Sequence, residues 1–371
     1  MKVPLYKMYS TQDDIDAVTS VLKRQSFWAC GPEIEQFEEQ LSKYLQSRYV
    51  VTFNSGTTAL YSLLIAHKLQ NCEIIVPSFS FIATANCVKL ANSTPVFADI
   101  ETDTFGLSAD SVREKITDKT KAIIPVHYGG HCCWDMEYLQ DIADEHNLLL
   151  LEDAAESFGA KHKHQCVGTM GQGAMFSLCQ TKTLQTGEGG FITTDDEEIY
   201  HRLKLLRSHG RSEGSNYFDT PIPPEYISLG FNFRIPTLTA ALGLSQLKHL
   251  PDIIGKRRYF AKRYDEGLST LPLQVPTEKP DYTHVYQMYT ILCRNQKERA
   301  GLQQYLAQNN ISTKVYFEPI HTTQYYYTLG YTDTLPTTQD ASNRVLTLPL
   351  YPSLTDEESD YVIKKVQEYF K

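Results

Sequence analysis

The chain lacks any apolar run approaching the ~20 residues that cross a bilayer, and its N-terminus, MKVPLYKMYSTQDD, lacks the apolar core of a secretory signal. It also lacks an excess of positive charge. Its 35 Lys and Arg stand against 44 Asp and Glu, a formal net charge of −9. A general nucleic-acid binder presents a basic surface, so the balance argues against that class. A small anionic substrate, which needs only a few local cations, stays open. Eight cysteines are present (Cys30, Cys72, Cys87, Cys132, Cys133, Cys166, Cys179 and Cys293), with no C-x-x-C pair among them. In a large chain without a secretory signal they read as reduced, buried thiols. Internal repeats and low-complexity tracts are absent as well, and together these absences point to a cytoplasmic globular protein.

What is there is enough sequence for two or three domains: 371 residues, 42% of them hydrophobic, at roughly 150 residues per domain. Through the first two-thirds, short strand-like runs alternate with helical patterns. YVVTF is followed by the helical TTALYSLLIAH, EIIVP by FIATANCVKLA, AIIPVH by MEYLQDIADEH, and LLLLED by AMFS, GGFITT and EEIYHRLKLLRS. Strands alternating with helices of this length predict βαβ units and a largely parallel sheet. Two helices precede the sheet, and in the second Ile34, Phe37, Leu41, Tyr44 and Leu45 share one helical face. After Pro236 a long helical stretch leads to a different pattern, with VYQMYTILC as an alternating strand, AGLQQYLAQN as a helix, STKVYF as a strand and DEESDYVIKKVQEYF as a helix. The expected division is a large α/β domain over residues 1–250 and a smaller α+β domain over 251–371.

Three short stretches carry chemistry. In NSGTTAL, Ser55, Gly56 and Thr57 stand where a strand ends and a helix begins, which is either a phosphate seat built on free backbone N–H groups or a plain helix cap. In LLLLEDAAES a buried strand ends in Glu152 and Asp153, at the carboxyl end of the strand where open α/β sheets bind ligands; a helix cap is again the alternative. In FSLCQTKTLQTGEGG, Ser177 and Lys182 precede a glycine-rich loop. Lys182 is either a solvated side chain or a reactive amine at a strand exit. Taken together, a phosphate cup, a buried acid and an amine match the parts of pyridoxal phosphate: its phosphate, its ring nitrogen and its aldehyde.

The order of motifs resembles that of the DegT-type sugar aminotransferases, pyridoxal-phosphate enzymes of fold type I. The matching stretches are GPEIEQFEEQL, NSGTTAL, VPSFSFIATANCV, EDAAESFGA, FSLCQTKTLQTGEGGF, GFNFRIPTLTAALGLSQL and LPLYPSLTDEE, which run from about residue 10 to the C-terminus. The resemblance implies a mainly parallel seven-stranded sheet in the large domain. It implies Lys182 as the lysine that bonds the cofactor aldehyde, Asp153 as the partner of the ring nitrogen, and Ser55, Gly56 and Thr57 with Ser177 as the phosphate seat. Phe81 takes the place of a ring stacked on the cofactor, or is simply a core residue. Asn232 matches an asparagine that reaches the cofactor phosphate of a neighbouring subunit, which implies a homodimer with shared sites. Glu156, the fourth residue of DAAE, lies near the ring-oxygen side and resembles the form found in perosamine synthases. His321 matches a small-domain histidine near the sugar, with a satisfied surface histidine as the competing reading. Glu188 and Gly189 read as mainly structural.

The implied activity is ping-pong transfer of an amino group from L-glutamate to C4 of a nucleotide-linked 4-keto-6-deoxyhexose, the cofactor passing through pyridoxamine phosphate and the donor leaving as 2-oxoglutarate. A C3 aminotransferase and a non-catalytic pyridoxal-phosphate-binding regulator are the alternatives. A related deoxygenating branch carries His at the place of Lys182, and the lysine counts against it. Other stretches resolve to structure. HYGGHCCWD suggests zinc by composition, but its spacing does not fit the usual ligand pairs, and no metal is expected. In GKRRYFAKRY, helical spacing predicts Tyr259, Phe260 and Tyr264 facing the core with the cations solvated. KHKHQ reads as a hairpin tip.

Overall fold

The computed structural model describes residues 1–212, 221 and 223–371. In chain order its strands are β1 (Tyr49–Phe53), β2 (Glu73–Pro77), β3 (Thr94–Ala98), β4 (Thr120–Ile123), β5 (Leu149–Asp153), β6 (Lys161–His162), β7 (Gln165–Cys166), β8 (Gly173–Ser177), β9 (Gly190–Thr194), β10 (Leu273–Gln274), β11 (Tyr282–Thr283), β12 (Tyr289–Cys293) and β13 (Val345–Leu348). A seven-stranded sheet in the order β1-β9-β8-β5-β4-β2-β3 forms the large domain. Only β9 runs against its neighbours; every other pairing is parallel. The carboxyl ends of β1, β2, β5 and β8 therefore lie along one edge, where such sheets bind ligands.

The helix Pro32–Leu45 buries Phe37, Leu41 and Leu45, with Ile34 and Tyr44 packed against the same core. The long stretch after Pro236 is two helices, Thr237–Lys248 and Leu250–Leu268. The break has a local cause: Pro251 has no N–H to give to a preceding turn and is favoured near a helix start. The second of these helices serves both cores. Leu250 and Ile254 pack in the large domain, whereas Phe260, Ala261, Tyr264 and Leu268 pack in the small one together with Val3 from the N-terminus.

The small domain carries a three-stranded sheet, β10-β12-β13. Here the sequence reading needs correction in three places. β12 is buried at all five positions, so the expected alternation has no counterpart in exposure. STKVYF does not form a strand. Only Lys314 bridges Thr347, because the segment leaves the sheet to reach the large domain, where the Ile320 N–H donates to the Ser78 carbonyl at 2.8 Å. In GKRRYFAKRY, Tyr259 is exposed and Arg257 is buried. Arg257, Phe260, Ala261 and Tyr264 recur at helical spacing and share the inward face, and the Arg257 guanidinium donates to the carbonyls of Tyr286, Gln287 and Leu350. Burial pulls its pKa down to about 10. KHKHQ forms the β6–β7 hairpin itself, with Lys163 at positive φ in the turn. Among the described residues, no helix is long and apolar enough to cross a membrane.

Candidate active site

The site begins where β1 ends. Ser55 caps the helix Gly56–Ala66, its Oγ accepting the Thr58 N–H at 3.1 Å. The N–H groups of Gly56 and Thr57 head this helix and have no carbonyl within it to bond, at the end where the helix dipole favours an anion. Gly56 is favoured by proximity. A Cβ there would lie 3.1 Å from Met175 Sδ and 3.2 Å from Ser177 Cβ, narrowing the cradle between the helix start and the end of β8.

At the end of β5, strand alternation turns adjacent carboxylates to opposite sides. Asp153 faces the cavity. Its Oδ2 accepts Thr84 Oγ1–H at 2.8 Å, Thr84 in turn meets Ser80 Oγ at 2.8 Å, and Oδ1 accepts the Ala155 N–H at 3.2 Å. Burial pushes the Asp153 pKa up; the Thr84 and Ala155 bonds and the charge of Lys182 oppose this, while the charge of Glu156 adds to it. Glu152 faces away and is wholly enclosed. Its Oε1 accepts the N–H groups of Met170 and Gly171 at 2.7 and 2.8 Å, and its Oε2 accepts the Gly168 N–H at 2.7 Å and meets His127 Nε2 at 2.9 Å. His127 Nδ1 accepts the Cys133 N–H at 3.0 Å, so Nε2 is the ring donor to Glu152.

Lys182 follows β8 on a turn closed by its own N–H and the Cys179 carbonyl at 2.9 Å. Its Nζ lies 3.3 Å from Glu156 Oε1, and Glu156 Oε2 accepts the Gly129 N–H at 2.9 Å. The preceding residue is tied across the domains, with Gln287 Nε2 donating to the Thr181 carbonyl at 2.6 Å.

These side chains line one cavity of about 430 Å³ between the sheet edge and the small domain. It gathers Ser55, Gly56, Thr57, Phe81, Asp153, Glu156, Ser177 and Lys182. It does not gather the other two residues the resemblance assigned. Asn232 is exposed elsewhere, its carbonyl 3.4 Å from Asn54 Nδ2. His321 is buried outside the cavity lining, with Nδ1 2.6 Å from Ser78 Oγ and its ring against Phe97; burial lowers its pKa. A larger hollow of about 860 Å³ beside Gly31 and Arg207 contains none of the assigned residues.

The sequence reading missed Ser80, Thr84, Gln287, Lys314, Tyr316 and Phe317, all on the cavity wall. Thr84 and Ser80 were visible as polar residues flanking Phe81, but nothing in their spacing connects them to Asp153. Glu188, read as mainly structural, also faces the cavity. The residues of HYGGHCCWD have other partners: His127 holds Glu152, His131 Nδ1 donates to the Cys132 carbonyl at 2.6 Å, and both thiols are buried with pKa values raised by burial. No group of three or more potential metal ligands comes together among the described residues.

The donor set fits pyridoxal phosphate. A helix start with open N–H groups and a glycine-sized gap suits a phosphate, a buried carboxylate with a raised pKa suits a cationic ring nitrogen, and an amine stands beside both. Comparison with known proteins agrees. Residues 9–367 match the DegT/DnrJ/EryC1/StrS aminotransferase family. The chain is 34% identical to GDP-perosamine synthase of Escherichia coli O157:H7 over 369 residues, covering 99% of this chain and 98% of that protein. It is 33% identical to the GDP-perosamine synthase of Vibrio cholerae, over 92% of this chain and 91% of that one. Among solved structures, Helicobacter pylori PseC, an aminotransferase involved in pseudoaminic acid biosynthesis, superposes with a TM-score of 0.92 at 29% identity, covering 100% of this chain and 99% of that one. The chain belongs to the DegT/DnrJ/EryC1/StrS aminotransferase family and is a pyridoxal-phosphate-dependent sugar aminotransferase.

Proposed function

We propose that the chain transfers the amino group of L-glutamate to C4 of a nucleotide-linked 4-keto-6-deoxyhexose, as a cytoplasmic homodimer in which Asn232 serves the partner's site. The observation that carries the choice of carbon is the full-length 34% identity to a GDP-perosamine synthase, supported by Glu156 in the motif DAAE and by its place beside Lys182. When bound, pyridoxal phosphate supplies an electron sink for ionising the Cα–H bond and stores the amino group between half-reactions.

The chain's residues do the rest. Ser55, Gly56, Thr57 and Ser177 would hold the phosphate, and Asp153, oriented by Thr84, would pair with the ring nitrogen. Lys182 Nζ takes the proton from the donor's Cα and, in the second half-reaction, supplies one to the sugar carbon. Glu156, fixed by the Gly129 N–H, holds that amine in the cavity. Phe81 and Phe317, whose rings meet with centroids 6.4 Å apart, would form one aromatic wall of the cavity.

The test monitors the visible absorption of the cofactor-loaded protein as L-glutamate is added, then offers the resulting amino form a panel of GDP-, UDP- and dTDP-linked 4-keto and 3-keto sugars. Loss of the band with glutamate and its return with a 4-ketosugar supports the reading. Return only with a 3-ketosugar moves the reacting carbon, and an unchanged band with glutamate overturns the donor.

A further inference from the structure

Three carboxylates (Asp153, Glu156 and Glu188) and two lysines (Lys182 and Lys314) line the cavity among the described residues. A cavity of this balance opposes a dicarboxylic donor unless a cation faces the incoming charge. With the cofactor bound, Lys182 and Asp153 would be committed to it, which leaves Glu156 and Glu188 facing the donor with Lys314. Lys314 is placed differently. Its backbone is pinned to β13 by hydrogen bonds in both directions with Thr347, at 3.3 and 2.8 Å. Its Nζ stands 4.7 Å from the ring centroid of Tyr316, another cavity residue. No carboxylate among the described residues lies within ion-pair reach of it. The side chain is exposed, whereas that of Lys182 is only 16% exposed, so the two amines mark the rim and the floor of one cavity.

Resting on the transamination proposed above, we propose that Lys314 selects the donor by binding the side-chain carboxylate of a dicarboxylic amino acid. The α-carboxylate is common to all amino acids and travels with the reacting Cα to Lys182 at the floor. The distal carboxylate of glutamate extends toward the rim, where the Lys314 ammonium is held against the Tyr316 ring by a cation–π contact. Tyr316 thereby limits the freedom of a long side chain, so less is lost when the carboxylate docks.

The experiment uses the cofactor-loaded protein and the variants Lys314→Gln and Lys314→Arg. The first half-reaction is measured against L-glutamate and L-glutamine, and binding of glutarate, which has no amino group to transfer, is measured by calorimetry. In Lys314→Gln the half-saturating glutamate concentration rises about ten-fold or more, as expected for a lost charged hydrogen bond. Its limiting rate stays within about three-fold, glutarate binding weakens in parallel, and the response to glutamine is unchanged. Lys314→Arg retains most of the wild-type preference. Equal losses on glutamate and glutamine, a lower limiting rate at unchanged half-saturation, or a rise confined to the nucleotide-sugar acceptor would each overturn the assignment. Failure of transamination itself reads differently: the wild type then binds glutarate through Lys314 without any change in the visible band on adding glutamate.

Discussion

Replacing Glu152 by Gln changes one oxygen to an amide nitrogen in a pocket where all four groups around the carboxylate are donors: the N–H groups of Gly168, Met170 and Gly171, and His127 Nε2. Whichever way the glutamine amide turns, its NH₂ faces two of them. His127 cannot switch to accept, because its Nδ1 is already an acceptor for the Cys133 N–H. Two hydrogen bonds to a charged group are lost at a fully buried position, each worth about 1.5 to 3 kcal/mol, for a sum of about 3 to 6 kcal/mol. With an m-value of about 3 kcal/mol/M, the urea midpoint of the cofactor-free protein falls by about 1 to 2 M. Once folded, the variant should bind pyridoxal phosphate with wild-type affinity, because Glu152 and Asp153 face opposite sides of β5. The assay is urea unfolding monitored by circular dichroism, paired with cofactor titration. A midpoint within about 0.3 M of wild type would refute the clamp, and a loss of cofactor affinity at unchanged stability would refute the division of labour between the two carboxylates.

In the cofactor-free protein, the raised pKa of Asp153 means that the folded state holds its proton more tightly than the unfolded chain does. The group therefore costs no stability at low pH and takes some away as pH rises above the unfolded value of about 3.9. Melting temperatures of wild type and Asp153→Asn, compared from about pH 4 upward, should diverge in favour of the variant; parallel curves would refute the shift. Gly56→Ala places a methyl group against Met175 and Ser177 and should weaken pyridoxal phosphate binding about ten-fold or more by blocking the backbone's approach to the phosphate, as fluorescence titration would read; unchanged affinity would remove Gly56 from the seat. Iodoacetamide should modify Cys179, which lines the cavity, more slowly once pyridoxal phosphate is present. Buried Cys132 and Cys133, with raised pKa values, should react only after unfolding, and mass spectrometry showing either of them labelled first would count against their burial.

Much of the large domain was legible because its signals are local. β1, β2, β5 and β9 are short apolar runs ended by turn residues, and each is followed by a change of period or a loop. The floor of the site sits at the carboxyl ends of β1, β5 and β8, the last read from AMFS, so Ser55, Gly56, Asp153, Ser177 and Lys182 could be located from sequence. The small-domain wall was not legible. Lys314, Tyr316 and Phe317 belong to a stretch with strand-like composition, and their place depends on where Ile320 anchors to Ser78, a contact 242 residues distant in sequence. Arg257 was assigned to solvent because charge outweighed spacing, although its helical phase matches that of Phe260 and Tyr264.

HYGGHCCWD shows how a stretch rich in reactive residues can act on a site without touching its chemistry. Its first histidine fixes Glu152, and through Glu152 the Gly168–Gly171 turn beneath β8. At Gly168, φ is +88° and a Cβ would lie 2.1 Å from the Phe176 ring, so the turn tolerates no side chain there. Two residues after His127, the Gly129 N–H fixes Glu156, which holds Lys182. Ser157 Oγ closes the unit with a 2.6 Å bond to the His127 carbonyl. One loop thus sets two carboxylates that face opposite sides, one stabilising the sheet and the other orienting the amine. Both nitrogens of His127 are committed in this way, Nδ1 to the Cys133 N–H and Nε2 to Glu152, so this histidine acts as a structural clamp.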